Sequence, residues 1–431
     1  MHNNKEQYNN ALLSRPTVGL HPWLMWGLGA LFYCFEFFLQ VSPSVMVPDL
    51  MRSFAVSGEQ LGMLASLYFY AYASMQIPAG MLLDRLGARR LLSIAILLCS
   101  AGALIFGSSY HFAIACIGRF IIGLGSAFAA VGCMHLAATW LPLRRFALLA
   151  GIMMTLGMVG AICGQAPLAL VVAHFGWRVT LLLFGVLGVL LSIIIYSVIR
   201  DRPFENDFST PQVNRLSFLS GLLHILKERQ SWIIAIYGCL VYGPTSAFGA
   251  LWGVPFLMSA YRVSRPIAAT LVSMIFVGWA VSAPLFGWFS DKIHRRKITM
   301  MTASVGGLFC MLFVLYIHHM PLLLLGASLF MFGFFCSGFL PSFSAIREIH
   351  PPQYNATALG FMNTLNMIGG AALQPFIGCI LDLHWRGKME LGARVYSLGA
   401  YHIALMVLPI SLLLSLLILP FIKETYCKYQ Y

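Results

Sequence analysis

Charge is what this sequence has least of. Asp, Glu, Lys and Arg make up 10% of its 431 residues, whereas a soluble domain carries about 25%. That scarcity excludes an ordinary water-soluble surface. Paired cysteines are also missing: the ten cysteines are scattered, none forms a CxxC pair, and nine lie inside apolar runs. The pattern argues against a disulfide framework or a zinc site and for small buried side chains. The twelve histidines form no repeated HxxxH or HxxHH cluster, so no metal is expected. With no clustered His, Ser–His or paired acidic motif either, the chain does not read as an enzyme, and no cofactor is implied. The opening MHNNKEQYNNALLSRPTVGL lacks the short apolar core and cleavage site of a signal peptide. The first apolar run is therefore expected to remain as an uncleaved anchor.

What the chain has in abundance is hydrophobic residues, 59% of the total. Apolar runs of about 20 residues recur from end to end, each long enough for a hydrocarbon core of about 30 Å. They are continuous rather than alternating, which specifies helices and not a β-barrel. Twelve spans are expected, at 22–47, 60–83, 88–108, 111–140, 146–172, 177–199, 231–260, 267–289, 297–316, 320–345, 354–382 and 396–422. Most connections are short. The exception, RDRPFENDFSTPQVNRLSFLSGLLHILKERQ at 200–230, is charged and contains two prolines. Within it Phe218–Lys227 reads as a short amphipathic helix on the membrane surface. The expected organisation is a tail 1–21, a six-helix bundle 22–199, a central loop 200–230, a second six-helix bundle 231–422 and a tail 423–431.

The net charge of +13 could suggest an anionic partner, but its distribution says otherwise. With the N-terminus counted as cytoplasmic, nineteen Lys and Arg fall on that side, seven fall opposite, and Arg119 lies within a span. The bias follows the positive-inside rule and places both termini in the cytoplasm. The excess charge sets topology, and nucleic acid is not an expected partner.

The charge that does occur is concentrated. GMLLDRLGARR at 80–90 joins spans two and three, and GWFSDKIHRRK at 287–297 joins spans eight and nine, 207 residues later. Gly80, Asp84, Arg85, Arg89 and Arg90 correspond to Gly287, Asp291, Lys292, Arg296 and Lys297, while Gly87 is replaced by His294. Six plus six helices with a matching turn is a parallel-repeat plan used by transporters.

The first of these turns resembles the signature loop of the major facilitator superfamily at Gly80, Asp84, Arg85, Gly87, Arg89 and Arg90. GRFIIGLG in span four fits the family's R-x-x-x-G-x-G at Arg119, Gly123 and Gly125, and FGWR at 175–178 is a weaker echo. The resemblance covers essentially the whole chain. It implies an all-α membrane protein with twelve transmembrane helices in two six-helix pseudo-symmetric bundles. In the family the loop Asp lies near the N-terminus of helix eleven, where a carboxylate meets free N–H groups and the positive end of the dipole. That would set Asp84 near Tyr354–Thr357 and Asp291 near Arg145–Leu148. Gly80 would allow close helix approach, Gly87 a tight turn, and the whole set would latch the halves when the cytoplasmic side is shut. A plain topology signal is the simpler alternative.

Two charges lie deep in spans. Glu36 in span one and Arg119 in span four reach similar depths at about 1.5 Å per residue, so they can pair. Intramembrane charges are costly and are functional candidates by default. Glu36 is the candidate proton carrier, and the resemblance ties Arg119 to coupling; a static pair locking two helices is the alternative. Polar stripes at helical spacing mark one face each of span one (Tyr33, Glu36, Gln40), span two (Tyr68, Tyr72, Gln76) and span eleven (Asn363, Asn366). These faces either line a substrate cavity or glue helices together. Trp252 and Trp279 are further cavity candidates. Span five departs from the glycine–proline pattern of the family's drug antiporters.

The expectation is a monomeric, proton-coupled symporter in a bacterial inner membrane, contacting lipid, protons and a small organic nutrient such as an amino acid or small peptide. Efflux of a metabolite or drug is one alternative, and a transporter-like sensor or receptor is another. The topology is directly testable. Single cysteines at positions 210, 292 and 428 should react only from the cytoplasmic side, and those at 262 and 388 only from outside. Outward labelling at 210 would reverse the orientation.

Overall fold

The computed structural model of the protein describes residues 21–142, 145–201, 215–317 and 319–428; within these, the side chains of Ile77, Met81, Asp84, Arg85, Ala147 and 215–219 lie outside the description. The first half contains α1 (His21–Val41), α2 (Val47–Phe54), α3 (Gly58–Ser108), α4 (Phe112–Ser126), α5 (Ala129–Trp140), α6 (Phe146–Cys163) and α7 (Ala166–Val198). The connecting helix α8 covers Arg215–Lys227. The second half contains α9 (Arg229–Ala247), α10 (Gly253–Tyr261), α11 (Arg265–Ile293), α12 (Arg296–Tyr316), α13 (Leu322–Cys336), α14 (Pro341–Glu348), α15 (Asn355–Leu383), α16 (Leu398–Leu405) and α17 (Val407–Ile418). A small antiparallel ribbon pairs β1 (Met389–Glu390) with β2 (Ala393–Arg394).

Ten helical stretches among the described residues are long and apolar enough to cross a membrane. Two of the long helical stretches contain turns that bear on the expected count of twelve. The 51 residues of α3 would run about 75 Å at 1.5 Å each, more than twice a hydrocarbon core. The chain instead turns at Gly87, with φ 74° and ψ 161°, so that 58–86 and Leu86–Ser108 pass in opposite directions. The apolar run Leu148–Val198 turns at Gly176, with φ 76° and ψ 160°. Side-chain-bearing residues avoid that backbone region, which is why both turns fall on glycine. His294, at the position matching Gly87, adopts φ 51° as the C-cap of α11.

Spans one, four, seven and ten are each interrupted. The breaks lie at Ser42–Val45 with Pro43, at Ala127–Phe128, at the wide turn Phe248–Trp252 after Pro244, and at Ser337–Phe339 before Pro341. Proline removes a helical donor and crowds the preceding turn, so the breaks in spans one, seven and ten are written into the sequence; span four breaks without a proline. The two halves repeat in packing as well as in pattern. Gly123 of α4 lies against the backbone of Tyr68 in α3, and Gly333 of α13 lies against the backbone of Ile275 in α11. Small residues allow such close helix approach within a membrane.

The turns near 84–90 and 291–297 and the connection around α8 share one face of the molecule, here called the linker face. The opposite face, carrying α2 and the β1–β2 ribbon, is the far face.

Candidate functional site

One cavity of about 860 Å³ lies between the halves. Its wall takes Tyr33, Glu36, Phe37 and Gln40 from α1, Tyr72, Gln76 and Gly80 from α3, and Met134, Met153, Met154 and Met158 from α5 and α6. The second half adds Tyr242, Trp279, Phe339, Phe343, Asn363 and Asn366. Tyr72 and Trp279 stand 207 residues apart, the offset of the charged turns, so the repeat places an aromatic ring on each side. The lining reaches Gly80, Gly151 and Gln353, at the linker-face ends of their segments, and the cavity opens there.

Of the sequence candidates, Tyr33, Gln40, Tyr72, Gln76, Asn363, Asn366 and Trp279 line this space. Two do not. Tyr68 is wholly buried behind the wall, and Trp252 lies deeper, its indole N–H donating to the Gln374 carbonyl at 2.9 Å. Tyr242, the methionine wall and Phe339 were not singled out from the sequence. Tyr242 follows Tyr33 by 209 residues, close to the repeat offset, and that was the available signal.

Glu36 and Arg119 are buried together, 2% and 1% exposed, yet they do not form the expected direct ion pair. Tyr68 stands between them. Its hydroxyl donates to Glu36 Oε1, and the Arg119 guanidinium lies 4.7 Å over its ring. Arg119 donates instead to the carbonyls of Leu39 at 2.7 Å and Gln40 at 2.6 Å. The physical reason is Pro43: it has no N–H to give the Leu39 carbonyl four residues earlier, and a buried cation takes that place. Glu36 Oε2 and Arg119 Nε have no hydrogen-bond partner.

Below the cavity the halves close on each other toward the far face. Gln40 Nε2 donates to the Tyr242 hydroxyl at 3.4 Å, and Gln165 Nε2 donates to the Gly249 carbonyl at 2.7 Å. At the far face itself Asp382, at the end of α15, caps the start of α3. Gly58 N–H donates to its Oδ1 at 3.0 Å and Glu59 N–H to its Oδ2 at 2.8 Å. Tyr396 and Arg394 donate to the same Oδ1 at 2.6 and 3.0 Å. Burial, and after it the bond to Asp382, push the Tyr396 hydroxyl above its ordinary range, so it stays a donor. A carboxylate on the free N–H groups of a helix N-terminus is a favourable charge-assisted contact. A Cβ added to Gly62 would stand 2.5 Å from the Gln374 carbonyl oxygen, so only glycine permits this approach. Asp49 and Arg265 add an ion pair between the halves at 2.6 Å.

The linker face is arranged differently. Arg89 donates from its backbone to Asp201 Oδ1 at 2.8 Å and from Nε to the Tyr196 carbonyl at 2.7 Å. Arg296 pairs with Asp291 at 2.5 Å and Glu348 at 2.6 Å, while Glu424 accepts from the backbone N–H groups of Arg296 and Lys297 at 2.8 and 3.0 Å. Lys292 lies 4.7 Å over the Trp288 ring, and Arg90 is exposed. Each of these contacts stays within its own half. Asp291 is therefore not docked at Arg145–Leu148 as expected; its side chain is 68% exposed because the cavity separates the halves on this side. A Cβ at Gly80 or Gly287 would meet nothing within 4 Å, so neither glycine makes the expected close approach here. The side chains of Asp84 and Arg85, and their part in the expected latch, lie outside the described residues.

Comparison with known proteins agrees with this architecture. The model of the Major Facilitator Superfamily matches residues 27–374 and 234–424. Membrane sensor protein UhpC of Salmonella typhimurium is 25% identical over 407 residues, covering 88% of each chain. A gallate transporter of Pseudomonas putida is 24% identical over 438 residues, covering 92% of this chain and 95% of its own. Among solved structures, a bacterial homolog of the human lysosomal transporter Spinster, in an inward-facing and occupied conformation, superposes with a TM-score of 0.76. It is 16% identical, and the match covers 94% of this chain and 96% of that one.

If the Asp382 cap holds the far face shut, Asp382→Asn should loosen it. Spin labels at the exposed positions 110 and 383, one on each half, should show a longer-distance population in the variant. A coupling of about 1–3 kcal/mol would enlarge that population about 5- to 150-fold. An unchanged distance distribution would show that the cap does not hold the gate.

Proposed function

This chain belongs to the Major Facilitator Superfamily, and on that footing we propose that it carries a small organic nutrient into the cell together with a proton. It is a multi-pass membrane transporter of small solutes and not an enzyme. The finer reading rests on one observation: a cavity shared by both halves, open at the linker face, closed at the far face, with a buried carboxylic acid in its wall. Taking the linker face as cytoplasmic, as the positive-inside bias favours, the structure is the inward-open state of a bacterial inner-membrane carrier. Transport then requires the halves to rock, breaking the contacts of Asp382 and Asp49 and closing the turns at 84–90 and 291–297. Those turns are the proposed latch of the opposite state.

Glu36 is the proposed proton site. Its Oε2 lacks a partner in a dry setting, where a bare carboxylate is costly and a proton relieves the cost. Tyr68 would report the change, since its hydroxyl is bonded to Glu36 and its ring lies under Arg119. Arg119 thus acts by position, holding the break in span one, rather than as a direct partner of Glu36. An amino acid or small peptide suits the amide-bearing wall, but its carboxylate would meet no cation among the described lining residues.

The similarity to UhpC supports a second reading, a sensor that binds its solute without moving it. One experiment separates the two. Metabolites are first screened for thermal stabilisation of the purified protein, and the best stabiliser is then offered to proteoliposomes with an imposed pH gradient. Wild type should accumulate it, whereas Glu36→Gln should exchange it across the membrane but fail to concentrate it. Intact accumulation by Glu36→Gln would remove Glu36 from coupling. Binding with no flux in the wild type would favour the sensor.

A further inference from the structure

We propose that the cargo of this cavity is uncharged: an apolar or aromatic body carrying amide, carbonyl or hydroxyl groups, with no carboxylate, phosphate or ammonium. The proposal rests on the cavity being the cargo site and adds the class of molecule it admits. Its first support is electrostatic. Among the described lining residues there is no Lys, Arg or His, and Glu36 is the one acid. The nearest buried cation, Arg119, is not on the wall, and its guanidinium is engaged by the carbonyls of Leu39 and Gln40. An anion would leave water for this space and gain no counter-charge, a step that costs several kcal/mol or more. An ammonium would find a carboxyl group only 2% exposed, with one oxygen already accepting from Tyr68.

The second support is what the wall does offer. Gln40, Gln76 and Asn363 bring uncharged amides to the wall, and Tyr72 and Tyr242 bring hydroxyls. A set that both donates and accepts without charge is complementary to a neutral group that does the same. The rings of Tyr72 and Trp279 supply flat apolar surface, and the methionine wall can adapt to different shapes. A volume of about 860 Å³ is near the upper end of ordinary ligand pockets, about 300–1,000 Å³, so the body can be large.

The test holds the body constant and varies only the charge. The full chain in detergent at about pH 7.5 is titrated calorimetrically with 1-naphthylacetamide, 1-naphthylacetate and 2-(1-naphthyl)ethylammonium. The amide should bind at least about tenfold more tightly than either ion, the factor that about 1.4 kcal/mol produces. Asn363→Leu should weaken amide binding about fivefold or more, the cost of one lost neutral hydrogen bond. Gln76→Leu serves if that variant melts early. Gly151→Trp is the site control, because Gly151 lines the cavity and a Cβ there meets nothing within 4 Å; the added ring should block binding. The proposal is overturned if either ion binds as tightly as the amide, if the amide binds Gly151→Trp normally, or if no probe binds below about 10 mM, a contact weaker than about 3 kcal/mol. Selective amide binding without flux in liposomes would sink the transport reading and leave this one standing.

Discussion

The contact on which the first half depends is a guanidinium in a broken helix. Pro43 denies the Leu39 carbonyl its helical donor, and Arg119 provides one from span four. Inside a membrane protein no backbone polar group can be left without a partner cheaply, and the Leu39 carbonyl here takes both the Ser42 hydroxyl and Arg119 as donors. The consequences run outward from there. Arg119 sits over the Tyr68 ring, Tyr68 bonds Glu36, and Glu36 lines the cavity. The cation is hydrogen-bonded to backbone rather than to Glu36, so the acid has no direct ion-pair partner. The same contact keeps the guanidinium off the described cavity wall.

The two faces use one kind of interaction for different ends. Asp382, Asp201 and Glu424 all accept from backbone N–H groups at the start of a helical segment. Only the Asp382 contact joins one half to the other. The Asp201 and Glu424 contacts stay within their halves, each binding the chain after a half's last span to the start of its third. Contacts inside a half can persist while the halves rock, whereas the Asp382 cap and the Asp49–Arg265 pair must break. The strength of those two contacts thus bears on how long the far face stays closed.

Much of this was legible in the sequence. Apolar run lengths gave the spans, and the 207-residue offset gave the repeat that later reappears in Tyr72 and Trp279 and in the packing of Gly123 and Gly333. The matching depths of Glu36 and Arg119 brought them to one layer, but depth says nothing about what lies between, and Tyr68 does. Periodicity put Tyr68 and Tyr72 on one helix face; a face is wider than a cavity wall, so one residue lines the space and the other backs it. Trp252 and Asp382 were obscured for a related reason. Their partners, the Gln374 carbonyl and the N-terminus of α3, belong to distant segments or to backbone, which no side-chain pattern reveals. The charged turns were readable as a repeat, but their contacts depend on which face is open.

The central claim is that the two faces open and close in opposition around the shared cavity. Spin labels at positions 90 and 295, on the linker face of the two halves, report on this in lipid nanodiscs. Comparison of the wild type with Asp382→Asn decides the matter. The account requires the 90–295 distance to shorten in the variant, because loosening the far face lets the linker face close. A 90–295 distance unchanged while the far face widens would mean that the faces move independently, and would contradict alternating access in this protein.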